Sequence, residues 1–192
     1  LGYGSKEVAL RRLLGEALVR FALKRYWQLT SGDYRIARGE KGKPFIVGVE
    51  NVFFNISHSG DYVVCSVSDR EIGIDIEKRA KARMEVAGRF FHEEEMAILK
   101  TLEGDKQDQL FFNYWSVKES FLKYIGTGLT RPLNSFIVTF TGERVSLYEG
   151  VNELPLHVNA CPVDAGYACY VCGEYDGMPE IREVTFEEIT RC

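Results

Sequence analysis

Ile72-Gly-Ile-Asp-Ile-Glu77 is the stretch on which the reading of this chain turns. Strict alternation puts Ile72, Ile74 and Ile76 on one side of a strand and Gly73, Asp75 and Glu77 on the other. Two carboxylates then point the same way, roughly 7 Å apart along the backbone. At that separation, with an effective dielectric near 20, they repel by about 2–2.5 kcal/mol, so a half-buried pair needs a cation, a basic partner or a shared proton. A hard divalent ion meets that need, since Mg²⁺ commonly takes one or two carboxylates with phosphate oxygens and water. Gly73 beside the pair is expected to leave room for a bulky phosphate. The alternative for Asp-x-Glu alone is a solvated strand face on which water screens both charges.

Outward from this strand the chain alternates helical and extended patterns. Residues 6–29 carry Val8, Leu10, Leu13, Leu14, Leu18, Phe21 and Ala22 at helical spacing. Gly39, Gly42 and Pro44 break that pattern, and strands are expected at 53–57 and 62–68, with Ser57-His-Ser-Gly-Asp61 as a turn between them. Further helices are expected at 84–102 and 110–125, separated by a polar loop over 103–108, and strands at 135–140, 145–148, 156–158 and 166–172. A helix, a glycine-containing loop and strands thus occur twice. The pattern implies an α+β fold of two similar halves, 1–78 and 79–192.

The whole chain, 192 residues with 45% hydrophobic, 27% charged and 12% aromatic side chains, has the balance of a globular protein and excludes a disordered or collagen-like one. Its 24 basic against 28 acidic residues leave a net charge of −4, so no general basic footprint for nucleic acid or an anionic membrane is present, and an anionic ligand must be met by a local cluster. No apolar run reaches the length of a membrane span and no signal-peptide pattern opens the chain, which implies a cytoplasmic protein. The start at Leu1 rather than Met implies a further segment upstream. Cys65, Cys161, Cys169, Cys172 and Cys192 have no framework spacing, and structural disulfides are not expected. Cys169 and Cys172 form one C-x-x-C, but three residues apart on a strand they face opposite sides, which argues against a shared zinc or redox site.

Two more segments carry chemistry. In Trp115-Ser-Val-Lys-Glu-Ser-Phe-Leu-Lys123, a helix with Phe111, Trp115, Leu122 and Ile125 as its apolar stripe, Glu119 and Lys123 are one turn apart and project from one face. Together they offer a carboxylate for a metal or as general base and an ammonium for phosphate charge, or else an ordinary surface pair worth about 0.2–0.5 kcal/mol. In Phe54-Asn-Ile-Ser-His-Ser-Gly60, Ser57, His58 and Ser59 bring hydroxyls, an imidazole and turn amides together, a cluster suited to phosphate. Lys43 and Pro44 upstream, and Arg11 and Arg12 on the first helix, add local positive charge and a rigid turn.

In this order, Gly42-Lys-Pro44, Phe54-Asn-Ile-Ser-His-Ser-Gly60, Ile72-Gly-Ile-Asp-Ile-Glu-Lys78, Arg89-Phe-Phe-His-Glu-Glu-Glu95 and Trp115-Ser-Val-Lys-Glu-Ser-Phe-Leu-Lys123 resemble the 4′-phosphopantetheinyl transferases of the surfactin-synthetase-activating type. The resemblance runs over about residues 6 to 190. It implies a pseudo-twofold pair of α+β halves with coenzyme A in the cleft. It also implies Mg²⁺-dependent transfer of the phosphopantetheine arm to a serine of an apo acyl- or peptidyl-carrier protein, releasing adenosine 3′,5′-bisphosphate. By the same resemblance Asp75, Glu77 and Glu119 are metal ligands, and Glu119, Lys123 and His58 are catalytic. Lys43, Pro44, Ser57, His58, Arg11, Arg12, Asp75 and Lys123 are expected to hold the coenzyme. Phe90 and Phe91 are expected to pack, and Glu95 to orient a neighbour. The length further implies a monomer, in contrast to half-length relatives that assemble as trimers. Two other readings stand beside this one: a non-catalytic coenzyme A or nucleotide binding module, and a Mg²⁺-dependent phosphohydrolase. The carrier is expected to meet an apolar or basic patch between residues 103 and 114.

Overall fold

The computed structural model describes residues 3–39, 42–175 and 177–190; Cys192 lies outside them. The chain opens with helix α1 (Tyr3–Trp27), then strands β1 (Arg35–Arg38), β2 (Pro44–Val47), β3 (Phe53–Ser59), β4 (Tyr62–Ser68) and β5 (Ile72–Lys78). Helices α2 (Met84–Phe90), α3 (Glu93–Leu99) and α4 (Gly104–Ile125) follow. After two short 3-10 turns come β6 (Ile137–Thr141), β7 (Arg144–Glu149), β8 (Asn152–Glu153), β9 (His157–Ala160), β10 (Tyr167–Gly173) and a last helix, α5 (Phe186–Thr190). The α+β class expected from the sequence is the one the chain adopts.

Pairing is antiparallel throughout, in sheets ordered β1-β2, β3-β4, β5-β10-β9 and β6-β7-β8. Helix α4 lies on one face of β5 and β10, where Phe111, Tyr114, Val117, Phe121 and Leu122 pack with Ala168, Tyr170 and Cys172. On the opposite face Ile72, Ile74 and Ile76 pack with Tyr167, Cys169 and Val171, and receive Phe53, Tyr62 and Val64 from the β3-β4 hairpin. Cys169 and Cys172 therefore do lie on opposite faces of β10. Helix α1 covers the other side of that hairpin, with Val19 and Leu23 against Phe54.

Several boundaries differ from the sequence expectation. The helix expected over 84–102 is two helices, because Phe91 is extended and His92 starts α3 with a capping box: His92 N–H donates to Glu95 Oε2 at 2.9 Å, and Glu94 N–H to the His92 ring at 3.4 Å. The polar stretch expected as a loop over 103–108 forms the first turns of α4 from Gly104 onward. Phe111 and Tyr114 are buried there, so the stretch between 103 and 114 offers a partner mainly polar side chains. On α1 the buried line is Gly15, Val19 and Leu23, while Val8, Leu10 and Leu13 face solvent. Gly15 sets this line, since a Cβ there would meet Ile56 Cγ2 at 2.7 Å.

Candidate active site

Three strand residues and one helix build the centre of the site. Asp75 is 3% exposed. Its Oδ1 accepts from Lys123 Nζ at 2.7 Å and from Ser57 Oγ at 3.0 Å, and Lys123 Nζ also donates to Ser57 Oγ at 2.8 Å. These three side chains come from β5, α4 and β3, so the node exists only because α4 and β3 both pack on β5. The other carboxylate oxygen of Asp75, Oδ2, is buried with no hydrogen-bond partner. Ser116 Oγ, one helical turn before Ser120, donates to the Asp75 carbonyl at 3.0 Å and fixes the strand beneath the helix.

Glu77 and Glu119 complete an acidic group. Glu77 is half-buried, and Ser59 Oγ donates to its Oε2 at 3.2 Å. Burial, with the charge of Asp75 second, pushes its carboxyl up to about 7. Burial and then the Asp75 charge likewise raise Glu119 above the ordinary glutamate range, with Lys123 opposing. Burial raises Asp75 itself, against the pull of Lys123 and Ser57. Burial raises all three carboxylates, Asp75 raises both glutamates and Glu119 raises Glu77, which marks a partly dry site short of positive charge.

That shortage, the partnerless Oδ2 and the all-oxygen donor set fit a hard divalent cation such as Mg²⁺. Among the described residues no three acidic, histidine or cysteine side chains converge closely enough to hold an ion alone. Mg²⁺ does not require that, because it keeps waters and substrate oxygens in its shell.

The space expected beside Gly73 is filled. A Cβ on Gly73 would stand 2.1 Å from Ser120 O and 2.3 Å from Tyr124 N, so the glycine lets the α4 backbone lie directly on β5. This contact, rather than room for phosphate, brings Glu119 and Lys123 over Asp75. Gly73→Ala is expected to lower unfolding stability by about 3 kcal/mol or more, because backbone and not a flexible side chain must give way. Denaturant titration of the variant measures it, and an unchanged midpoint would contradict the packing.

The seven residues of β3 include Ser57, His58 and Ser59, so the expected turn shrinks to Gly60 and Asp61. Alternation then splits the cluster. Asn55, Ser57 and Ser59 face β5, whose free edge they satisfy: Ile74 N–H donates to Asn55 Oδ1 at 3.1 Å, Ile76 N–H to Ser57 Oγ at 3.4 Å and Lys78 N–H to Ser59 Oγ at 2.9 Å. Side chains thus replace a backbone ladder between the hairpin and β5. His58 is exposed on the other face, in line with Phe54 and Ile56 and on the side of α1 that carries Arg11.

The basic residues are spread around this centre. Arg11 Nη2 donates to Gly60 O and to Glu7 Oε1, both at 2.7 Å. Arg12 is more exposed, its Nε 3.6 Å from Glu16 Oε1. Lys43 Nζ donates to Glu71 Oε2 at 2.7 Å and to the Tyr124 carbonyl at 2.9 Å, which anchors the loop before Pro44 to the end of α4. A cavity of about 630 Å³ opens there, lined by Lys43 and Phe53 on one side and by Tyr124, Gly126 and Glu174 on the other. A slightly larger one, about 660 Å³, lies on α2 and α3 around Phe91 and Met96, away from the carboxylates.

Sequence reasoning missed Lys118, which lies on the same helix but serves the core. Its Nζ is 2.8 Å from Glu95 Oε1 and donates to the Leu133 and Phe136 carbonyls at 2.8 and 2.9 Å, with neither side chain of the pair more than 1% exposed. The signal was its place in the stripe of Phe111, Tyr114, Phe121 and Leu122. Glu95 does orient a neighbour, as expected. Phe91 is buried, whereas Phe90 stays 37% exposed with its edge on Trp115.

Comparison with known proteins shows the family of this chain. Residues 71–172 match the family model of the 4′-phosphopantetheinyl transferase superfamily, and residues 3–70 match that of the 4′-phosphopantetheinyl transferase N-terminal region. The 4′-phosphopantetheinyl transferase Sfp of Bacillus subtilis strain 168 is 41% identical over 186 residues, 96% of this chain and 83% of that protein. The chain belongs to the 4′-phosphopantetheinyl transferase superfamily.

A more distant transferase, gsp of Aneurinibacillus migulanus, is 32% identical over 93% of this chain and 75% of its own length. Among solved structures, the holo-[acyl-carrier-protein] synthase of Thermotoga maritima aligns with a TM-score of 0.43 at 18% identity, over 54% of this chain and 61% of that one. That of Bacillus anthracis in complex with CoA (3′,5′-ADP) aligns at 0.44 and 18%, over 54% of this chain and 93% of that one. No helix among the described residues of this transferase-family chain is long and apolar enough to cross a membrane.

Proposed function

We propose that this chain is an enzyme that moves the 4′-phosphopantetheine arm of coenzyme A onto a serine of an apo acyl- or peptidyl-carrier protein, releasing adenosine 3′,5′-bisphosphate. The observation that carries the reading is the buried node of Asp75, Ser57 and Lys123, with an Asp75 oxygen left without a partner beside Glu77 and Glu119. Its similarity to transferases along nearly all of its length supports the same conclusion. In the reaction the serine oxygen attacks the pantetheine-side phosphorus of the pyrophosphate, and the bond to the bridging oxygen breaks. Such a step demands in-line placement, neutralised phosphate charge and removal of one proton.

The residues divide these tasks. Glu119 takes the serine proton, directly or through a water. Lys123, already beside Asp75, neutralises charge on the leaving phosphate. Arg11, Arg12 and His58 form the basic side that meets the coenzyme's phosphates, and Lys43, Pro44 and Ser57 hold its nucleotide end. Asp75, Glu77 and Glu119 would hold Mg²⁺, which when bound supplies positive charge to the pyrophosphate. We read 1–78 and 79–192 as the two halves that enclose the coenzyme. Strand β5 lies between them: it pairs with β10 by its backbone and with β3 through side chains. A cytoplasmic monomer is the form in which we expect the enzyme to work.

The test is incubation with coenzyme A and a panel of apo carrier proteins, with and without Mg²⁺, read by mass spectrometry. The expected result is a gain of one phosphopantetheinyl group per carrier that is lost on chelation. Coenzyme binding without transfer to any carrier would instead indicate a binding module. Release of adenosine 3′,5′-bisphosphate without an acceptor would indicate a phosphohydrolase.

A further inference from the structure

The turn that ends β3 is clasped from two directions. Gly60 has φ +54°, and a Cβ there would stand 2.3 Å from the Tyr167 hydroxyl, so the turn sits directly on this side chain. Asp61 N–H donates to Tyr167 Oη at 3.0 Å, and the same hydroxyl donates to Asp61 Oδ2 at 3.1 Å. Lys78 Nζ donates to that carboxylate oxygen at 3.0 Å. The Tyr167 ring is held by an edge contact with Tyr62 at 4.8 Å. From the other side Arg11 reaches the Gly60 carbonyl.

This turn lies between Arg11, which the transferase reading assigns to the coenzyme, and Glu77, which it assigns to the metal. Ser59, just before Gly60, bonds Glu77. Arg11 is oriented by Gly60 O, and the bonds it makes to Gly60 and Glu7 both leave from Nη2. Tyr167 comes from β10, 106 residues along the chain from Asp61, so the clasp also ties the β3-β4 hairpin to β10 at the Lys78 end of β5.

We propose that Tyr167 is a positioning residue for coenzyme binding: its hydroxyl fixes the Gly60-Asp61 turn, which in turn holds Arg11 toward the coenzyme's phosphates. The assignment rests on the transferase reading. Tyr167 touches no reacting atom, so its loss acts on binding rather than on the chemical step.

The experiment compares wild type, Tyr167→Phe, Arg11→Gln and the double variant by steady-state transfer to an apo carrier, by calorimetric binding of coenzyme A and by thermal denaturation. Tyr167→Phe keeps the ring packing and removes both hydrogen bonds. Expected are a rise in KM and Kd for coenzyme A of roughly fivefold or more and a kcat within about twofold, since a loss confined to binding leaves kcat in place. The two changes should also be less than additive in the double variant, because Tyr167 acts through Arg11. A drop in melting temperature with KM and Kd unchanged would overturn the proposal and leave Tyr167 a structural residue. Fully additive effects would overturn the route through Arg11. Should the wild type fail to modify any carrier, the transferase reading falls and this assignment falls with it. Transfer by wild type with an unaltered Tyr167→Phe would defeat the positioning role alone.

Discussion

Glu119→Gln is expected to lower kcat for carrier modification by about 10²- to 10⁴-fold, the usual worth of a positioned general base, while coenzyme A still binds measurably. Glutamine preserves the shape and leaves the Asp75, Ser57 and Lys123 node intact, so the loss reports proton removal and charge rather than packing. The pH profile separates these. Burial and the Asp75 charge raise the Glu119 carboxyl, so it ionises at a higher pH than an ordinary glutamate. A base works only when ionised, and activity must therefore climb with pH along an acid limb above the ordinary glutamate range. Glu77, raised to about 7, lies in the same group and contributes to that limb. A divalent cation favours the charged forms, so more Mg²⁺ should move the limb to lower pH. A Glu119→Gln enzyme with near-normal kcat at every pH would remove the base assignment, and a limb insensitive to Mg²⁺ would remove the metal from these carboxylates.

The residues of this centre were legible because each lies on a simple period. Alternation paired Asp75 with Glu77, and one helical turn paired Glu119 with Lys123. The two pairs meet through Lys123, whose Nζ donates to Asp75. What the periods could not supply is which edge of a strand is covered and by what. The polar residues Asn55, Ser57 and Ser59 alternate as clearly as the isoleucines do, yet their task is to satisfy the β5 edge, a fact that depends on where the hairpin docks. Compositional rules read Ser57 to Asp61 as a turn because serine, glycine and aspartate favour turns, whereas pairing with β4 carries the strand on to Ser59, opposite Tyr62. Gly73 shows the same limit: a missing side chain beside two carboxylates is equally compatible with a ligand and with a helix, and only the tertiary packing chose the helix. Tyr167 carries no local signal of its contact with Asp61, since the partners are far apart in sequence.

Lys118→Met is expected to lower unfolding stability by about 3–5 kcal/mol, as when one partner of a buried ion pair is removed. The substitution keeps an unbranched side chain of similar length, so packing around Phe136 changes little, but Glu95 is left as a carboxylate with no cation. Glu95 retains two backbone donors, Val138 N–H at 2.7 Å and His92 N–H at 2.9 Å, which hold the carboxylate in place without neutralising it. Burial already raises this carboxyl in the intact pair while Lys118 opposes the shift, so losing Lys118 raises it further. A carboxyl that is raised in the folded state binds a proton more readily there than in the unfolded chain. The stability lost in Lys118→Met should therefore be largest at neutral pH and should shrink as pH falls through the raised value toward that of an ordinary glutamate. Adding Glu95→Gln removes the unpaired charge yet keeps an acceptor for both backbone groups, and should recover most of the loss at neutral pH. Urea titrations of the two variants across pH test this. A Lys118→Met loss that is equal at all pH values, with no recovery in the double variant, would mean that lost contacts rather than an uncompensated charge carry the cost, and that the pair does not join α4 to α3 and β6 through its charge.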